Sequence, residues 1–162
     1  LAAKVEIRGQ REKEWKLLKE KVRERNISWD STAFPDGEYR VRVTVSDAPD
    51  NPAGSALEAR IESDVFVIDN TPPEIRGLKA VVVTNRVTVL WRAWDALNVI
   101  EKAEYSIDGG EWTPVLPLTR LADSTELDYS VVIEKPLVGE HTIAVRVADE
   151  YENQRVEKVV IH

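Results

Sequence analysis

The sequence predicts an all-β protein of two tandem β-sandwich modules, residues 1–70 and 71–162, the first lacking its N-terminal strands. Three observations carry this expectation. Apolar and polar residues alternate with period two over several short runs, the pattern of strands with one buried face. Turn formers separate those runs at short intervals. One strand, with its leading turn and trailing loop, occurs twice at a constant offset.

Tyr39, Val41, Val43 and Val45 alternate with Arg40, Arg42, Thr44 and Ser46, and Ile143, Val145 and Val147 alternate with Ala144 and Arg146. Further β-branched runs lie at 65–68, 81–83, 87–91, 131–133 and 156–161. Between them stand Pro35-Asp36-Gly37, Asn51-Pro52, Pro72-Pro73, Asp108-Gly109-Gly110 and Val138-Gly139. Short strands at this spacing read as a sandwich or barrel. The segment 12–26 dissents, because Trp15, Leu18 and Val22 fall at i, i+3 and i+7, which suits an amphipathic helix. Read as a strand, it places Trp15 and Leu17 on one face, with the charged remainder as a turn. The repeat puts a strand here and favours that second reading.

The repeat aligns Gly37-Glu38-Tyr39 and the strand to Asp47 with Gly139-Glu140-His141 and the strand to Asp149, and continues to Asn51 against Asn153. Upstream, Ile7-Arg8-Gly9 with Trp15 matches Ile107-Asp108-Gly109 with Trp112. Each copy closes with an apolar strand, ending at Ile68 and Ile161, and the first carries an extra loop over about 51–59. The second copy begins with strands at 78–83 and 87–94 that have no room in the first, which implies a module short of about 25–30 residues. Such a half-module exposes apolar faces and open edges and invites edge-strand pairing with a second chain. The chain starts at Leu1 and contains no methionine, the expected sign of a piece of a longer or processed polypeptide.

Composition excludes more than it assigns. A net charge of −7 is a poor match for nucleic acid, which needs concentrated positive surface. With no cysteine there is neither a disulfide framework nor a thiolate metal site. The longest apolar runs are far too short to span a bilayer, so no membrane insertion is expected. The local excess of Lys and Arg from Arg11 to Arg25 reads as a solvated face or a charge-guarded edge.

Trp29-Asp30, Phe34-Pro35-Asp36-Gly37-Glu38-Tyr39, Ser46-Asp47-Ala48-Pro49-Asp50-Asn51-Pro52, Asp69-Asn70-Thr71-Pro72-Pro73 and the hairpin Tyr105 to Trp112 resemble the tandem fibronectin-III-like or Ig-like modules of bacterial secreted and surface proteins. These modules often follow β-propeller repeats. The resemblance covers nearly the whole chain. It implies a non-catalytic spacer or accessory role, an extracellular or periplasmic location, and other domains of the same polypeptide as partners. The alternative is a module that binds glycan or protein.

The candidate residues follow. Pro35, Gly37, Tyr39, Pro72, Pro73 and Gly139 are read as structural. In such sandwiches a tyrosine at the position of Tyr39 bonds back to the backbone at the corner, and His141 stands in its place in the second copy. Pro72-Pro73 makes the joint short and semi-rigid. Trp91 and Trp94 have opposite strand parity, so one of them faces outward and is the candidate for a glycan. Asp47, Asp50 and Asn51, the loop from Asp149 to Asn153, and Asp69 with Asn70 offer oxygens to calcium, which takes roughly six to eight. Asp and Asn also populate turns by bonding the local backbone, and no EF-hand pattern is present. No cofactor is expected and no enzyme. There is no Gly-x-Ser-x-Gly elbow and no Gly-rich phosphate loop, and no motif sets a histidine beside a serine.

Overall fold

A computed structural model of the chain describes residues 1–52, 54–134 and 136–162. The protein is all-β, with antiparallel sheets throughout. It divides between Asp69 and Asn70 into two compact units, one residue earlier than the expected boundary. Among the described residues, no helix is long and apolar enough to cross a membrane.

Unit 1 is one five-stranded sheet. It comprises β1 (Ala2–Gly9), β2 (Lys16–Val22), β3 (Gly37–Ser46), β4 (Glu58–Glu62) and β5 (Phe66–Ile68), in the order β2-β1-β3-β4, with β5 also on β3. The segment 12–26 therefore supplies a strand. Register places Ala3, Val45 and Ala59 opposite one another, then Val5, Val43 and Ile61, then Ile7 and Val41. Directly opposed residues share a face, so these rows form the apolar face of the sheet. Its Tyr39 end is covered by Trp29, Phe34 and Leu18 packed over Ile7, Tyr39 and Ile68. The loop expected over 51–59 is shorter, because β4 already begins at Glu58. Residue 53 of that loop lies outside the described residues. The closing strand is split at 63–65, where the Ser63 hydroxyl accepts the Val41 amide at 2.9 Å in place of a ladder carbonyl.

Unit 2 has two sheets. One is β10 (Glu126–Ile133), β7 (Arg86–Trp94) and β6 (Glu74–Val83); the other is β12 (Gln154–Ile161), β11 (His141–Asp149), β8 (Ile100–Ile107) and β9 (Thr113–Val115). Val87, Val89, Trp91, Leu127 and Tyr129 from the first meet Ile143, Val145, Val147, Ala103 and Ile161 from the second in one buried cluster. Pro73 is fully buried in this unit, and its carbonyl accepts the Arg155 Nε–H at 2.7 Å.

The four-stranded sheet of unit 2 and the sheet of unit 1 follow the same path. β9, β8, β11 and β12 answer to β2, β1, β3 and the β4/β5 pair. Among the described residues, unit 1 has no counterpart of the three-stranded sheet. The expected deficit of two strands is thus corrected to three, because the region answering to β10 holds only a 3-10 turn at Ser31–Ala33. Asp30 caps that turn by accepting the Thr32 amide at 2.9 Å, and the aromatic residues Trp29 and Phe34 flank it in place of a ladder.

Candidate functional site

The corner ahead of the repeated strand is solved twice with different chemistry. In unit 1 the Tyr39 hydroxyl donates to the Pro35 carbonyl at 2.6 Å, and Phe34 and Phe66 pack against its ring. Gly37 begins the strand at φ +151°, a backbone that side-chain-bearing residues avoid. Burial pushes the Tyr39 hydroxyl above its ordinary pKa, so it stays a donor. In unit 2, His141 Nε2 lies 3.1 Å from the Val138 carbonyl and Nδ1 lies 2.6 Å from Asp108 Oδ2. The other oxygen, Asp108 Oδ1, accepts the Thr142 amide at 2.9 Å. Gly139, between Val138 and the strand, sits at φ +88°. The Asp108 bond, then the Val138 carbonyl, raises the His141 pKa above its ordinary value. The His141 bond, then the Thr142 amide, holds the Asp108 carboxyl below its own. With both ring nitrogens engaged, His141 has none free to activate a nucleophile.

The tryptophans are spent on packing. Trp91 is 3% exposed and stacks on Tyr129 at 5.2 Å with the rings 9° from parallel. That corrects its candidacy as a ligand contact, because no glycan reaches a ring inside the core. Trp94 is half-buried on the opposite parity, with the Arg76 guanidinium 4.4 Å above its ring. Trp15 and Trp112 each cover an arginine on the polar face of their sheet. Arg42 lies 4.4 Å over Trp15 and bonds Glu6 at 2.9 Å. Arg146 lies 4.2 Å over Trp112 and bonds Glu104 at 2.6 Å. The second clamp stands one outward-facing row further along the strands than the first. Burial pushes the Glu6 carboxyl up, but hydrogen bonds from Arg42 and Lys4, with their charges, outweigh it and hold it below its ordinary value.

The acidic loops divide by burial. Asp47 Oδ1 accepts the Leu57 amide at 2.6 Å, which closes its own loop, and exposed Asp50 pairs with the amino group of Leu1. Asp69, the last residue of unit 1, is 6% exposed. Within unit 2, Asp95 and Asp149 are buried and bring carboxylate oxygens within 4.8 Å of each other. Asp95 Oδ1 accepts the amides of Leu97 and Asn98, both at 2.8 Å. Asp149 Oδ1 accepts those of Tyr151 and Asn153, and its Oδ2 accepts the Asn153 side-chain amide at 2.9 Å. These are loop-closing Asx bonds. The sequence reading offered Asp47 and Asp50, the loop from Asp149 to Asn153, and Asp69 to calcium; it did not name Asp95 or its approach to Asp149. The repeat aligns Asp149 with Asp47, but nothing local marks Asp95.

Open depressions of about 600 and 290 Å³ lie in unit 2 and unit 1. The larger lies at the β6–β7 turn, lined by Val83, Thr84, Asn85, Arg86 and Glu134. The smaller lies on the polar face of unit 1 among Lys4, Glu20, Lys21, Glu58 and Arg60. Neither lining holds a histidine. Comparison with protein-family models, curated proteins and solved structures finds no match for this chain.

Proposed function

We propose that the chain is a non-catalytic structural segment, a spacer or accessory part of a larger exported bacterial protein, built from fibronectin-III-like or Ig-like modules. The observation that carries this reading is how unit 2 uses its side chains. Its three- and four-stranded sheets close on one buried apolar cluster, and His141, Asp95 and Asp149 are hydrogen-bonded within the unit. The three-plus-four arrangement supports the resemblance to fibronectin-III-like modules. Such a segment acts mechanically, by distance and orientation, and other domains of the polypeptide are its partners. The resemblance also supports an extracellular or periplasmic location.

Deleting residues 1–162 from the parent polypeptide tests this. The parent's own chemistry should survive, with its stability or placement impaired. Loss of catalysis by an otherwise folded parent would overturn the reading.

A second reading rests on unit 1. Among the described residues its sheet has no facing sheet, and Ile61 and Leu57 are 70% and 76% exposed at and beside β4. That favours protein binding through an open face or edge, an edge-strand dimer included. It predicts a molecular mass that rises with concentration in sedimentation and falls back on Ile61→Lys.

A further inference from the structure

We propose that His141 is a protonation-dependent latch, tying the turn after β8 to the backbone just before β11 only while its ring carries two protons. Both nitrogens face atoms that accept and cannot donate: a carboxylate oxygen 2.6 Å from Nδ1 and a peptide carbonyl 3.1 Å from Nε2. A neutral imidazole has one N–H, so one of these contacts would set lone pair against lone pair. The imidazolium satisfies both. The turn it grips is a conformationally demanding one, with Asp108 at φ +51° and Gly109 at φ +73°.

The surroundings leave the ring to these two partners. Just before the strand, the neighbour Glu140 lies 3.3 Å from His162 Nδ1. On β12 the residue opposite is apolar Ile161, and the next pair along is Ile143 with Ile107 on β8. Among the described residues, Asp108 is thus the charged group that faces the ring. Unit 1 makes the same corner with Tyr39, whose hydroxyl keeps its proton throughout the neutral range.

The sign follows from the two directions of shift. His141 is raised, so its contribution to stability is complete below the ordinary histidine value of about 6.5 and is lost as pH rises through the higher folded value. Asp108 is lowered, so its contribution is complete above about 3.9 and is lost as pH falls through the lower folded value. The latch holds between those two folded values and releases on the alkaline side first.

The test is a ring ¹⁵N and ¹³C NMR titration of the full chain carrying His162→Gln, which leaves His141 as the single histidine. We expect both nitrogens protonated at the start and a midpoint above about 6.5. In Asp108→Asn, which tolerates the same backbone, the midpoint should fall by at least about half a unit. A midpoint at or below the ordinary value, or one unmoved by Asp108→Asn, overturns the latch. A third variant, His141→Tyr, installs the residue that unit 1 uses. It should remove the part of unit 2's pH-dependent unfolding that spans the His141 midpoint, and persistence of that part would equally overturn the proposal.

Discussion

The two units share one sheet design and differ in what covers it. In unit 2, Ile143, Val145 and Val147 are completely buried beneath the three-stranded sheet. Their repeat counterparts Val41, Val43 and Val45 are only half-buried, and Ile61 opposite Val43 is mostly exposed. The strands, the turns and even the arginine–tryptophan clamp on the polar face recur. What does not recur is the apolar layer, and that layer supplies most of the stabilisation. Full burial of a valine or isoleucine side chain contributes roughly 1.5–3 kcal/mol over leaving it in water. The lesson is that a sheet's ladder and its polar face can be complete while its energy is not.

The largest effect expected from this contrast is on paired core truncations. Ile143→Ala should destabilise unit 2 by about 2–4 kcal/mol through lost transfer energy and a cavity that cannot collapse. Val41→Ala, at the matching position on the half-covered face, should cost unit 1 less than about 1.5 kcal/mol. Urea denaturation of the full chain, read residue by residue through amide NMR signals, measures both. Equal losses would mean that the two faces are equally covered in solution and would break the comparison.

The next contrast is between two buried tyrosines. Tyr39→Phe removes a 2.6 Å bond to the Pro35 carbonyl and should cost about 0.5–1.5 kcal/mol. Tyr129 carries a buried hydroxyl with no partner among the described residues, and burial pushes its pKa up to about 12. Tyr129→Phe should therefore be neutral or stabilising, since it removes a polar atom that gains nothing from folding. If Tyr129→Phe instead costs more than Tyr39→Phe under the same denaturation, the Tyr129 hydroxyl has a partner in solution.

The smallest effect lies at a turn. Thr84 joins β6 to β7 at φ +56°, a left-handed backbone unfavourable for a β-branched residue. Thr84→Gly should stabilise unit 2 by about 0.5–1 kcal/mol, seen as a slightly higher denaturation midpoint without a change in slope. A lower midpoint would show that the threonine side chain makes a compensating contact.

Much of the fold was legible in residue order. Period-two alternation marks β3 and β11 directly, since each strand buries one face. Gly-Glu-Tyr against Gly-Glu-His exposed the repeat, and with it a strand rather than a helix within 12–26; that strand runs from Lys16 to Val22, beginning after Trp15 and taking in the residues expected to form a turn. Strand parity foretold that one of Trp91 and Trp94 would face outward, because successive side chains point to opposite faces. What the local pattern could not give was which one: a core assignment depends on where the facing sheet lies. The same limit explains the third missing strand in unit 1. Among the described residues, the stretch that answers to β10 holds the 3-10 turn at Ser31–Ala33 in place of a strand.

By itself, then, the sequence determined the all-β class, the positions of most strands and turns, and the repeat that relates the units, because these depend on side-chain alternation and local backbone preference. Only the tertiary structure decided that Trp91 stacks inside while Trp94 lies under Arg76, that Asp95 meets Asp149, and that His141 reaches Asp108 across 33 positions of chain. Each of those pairings joins residues far apart in sequence through the registers of whole sheets. Register is a property of the assembled ladder, which no single segment encodes.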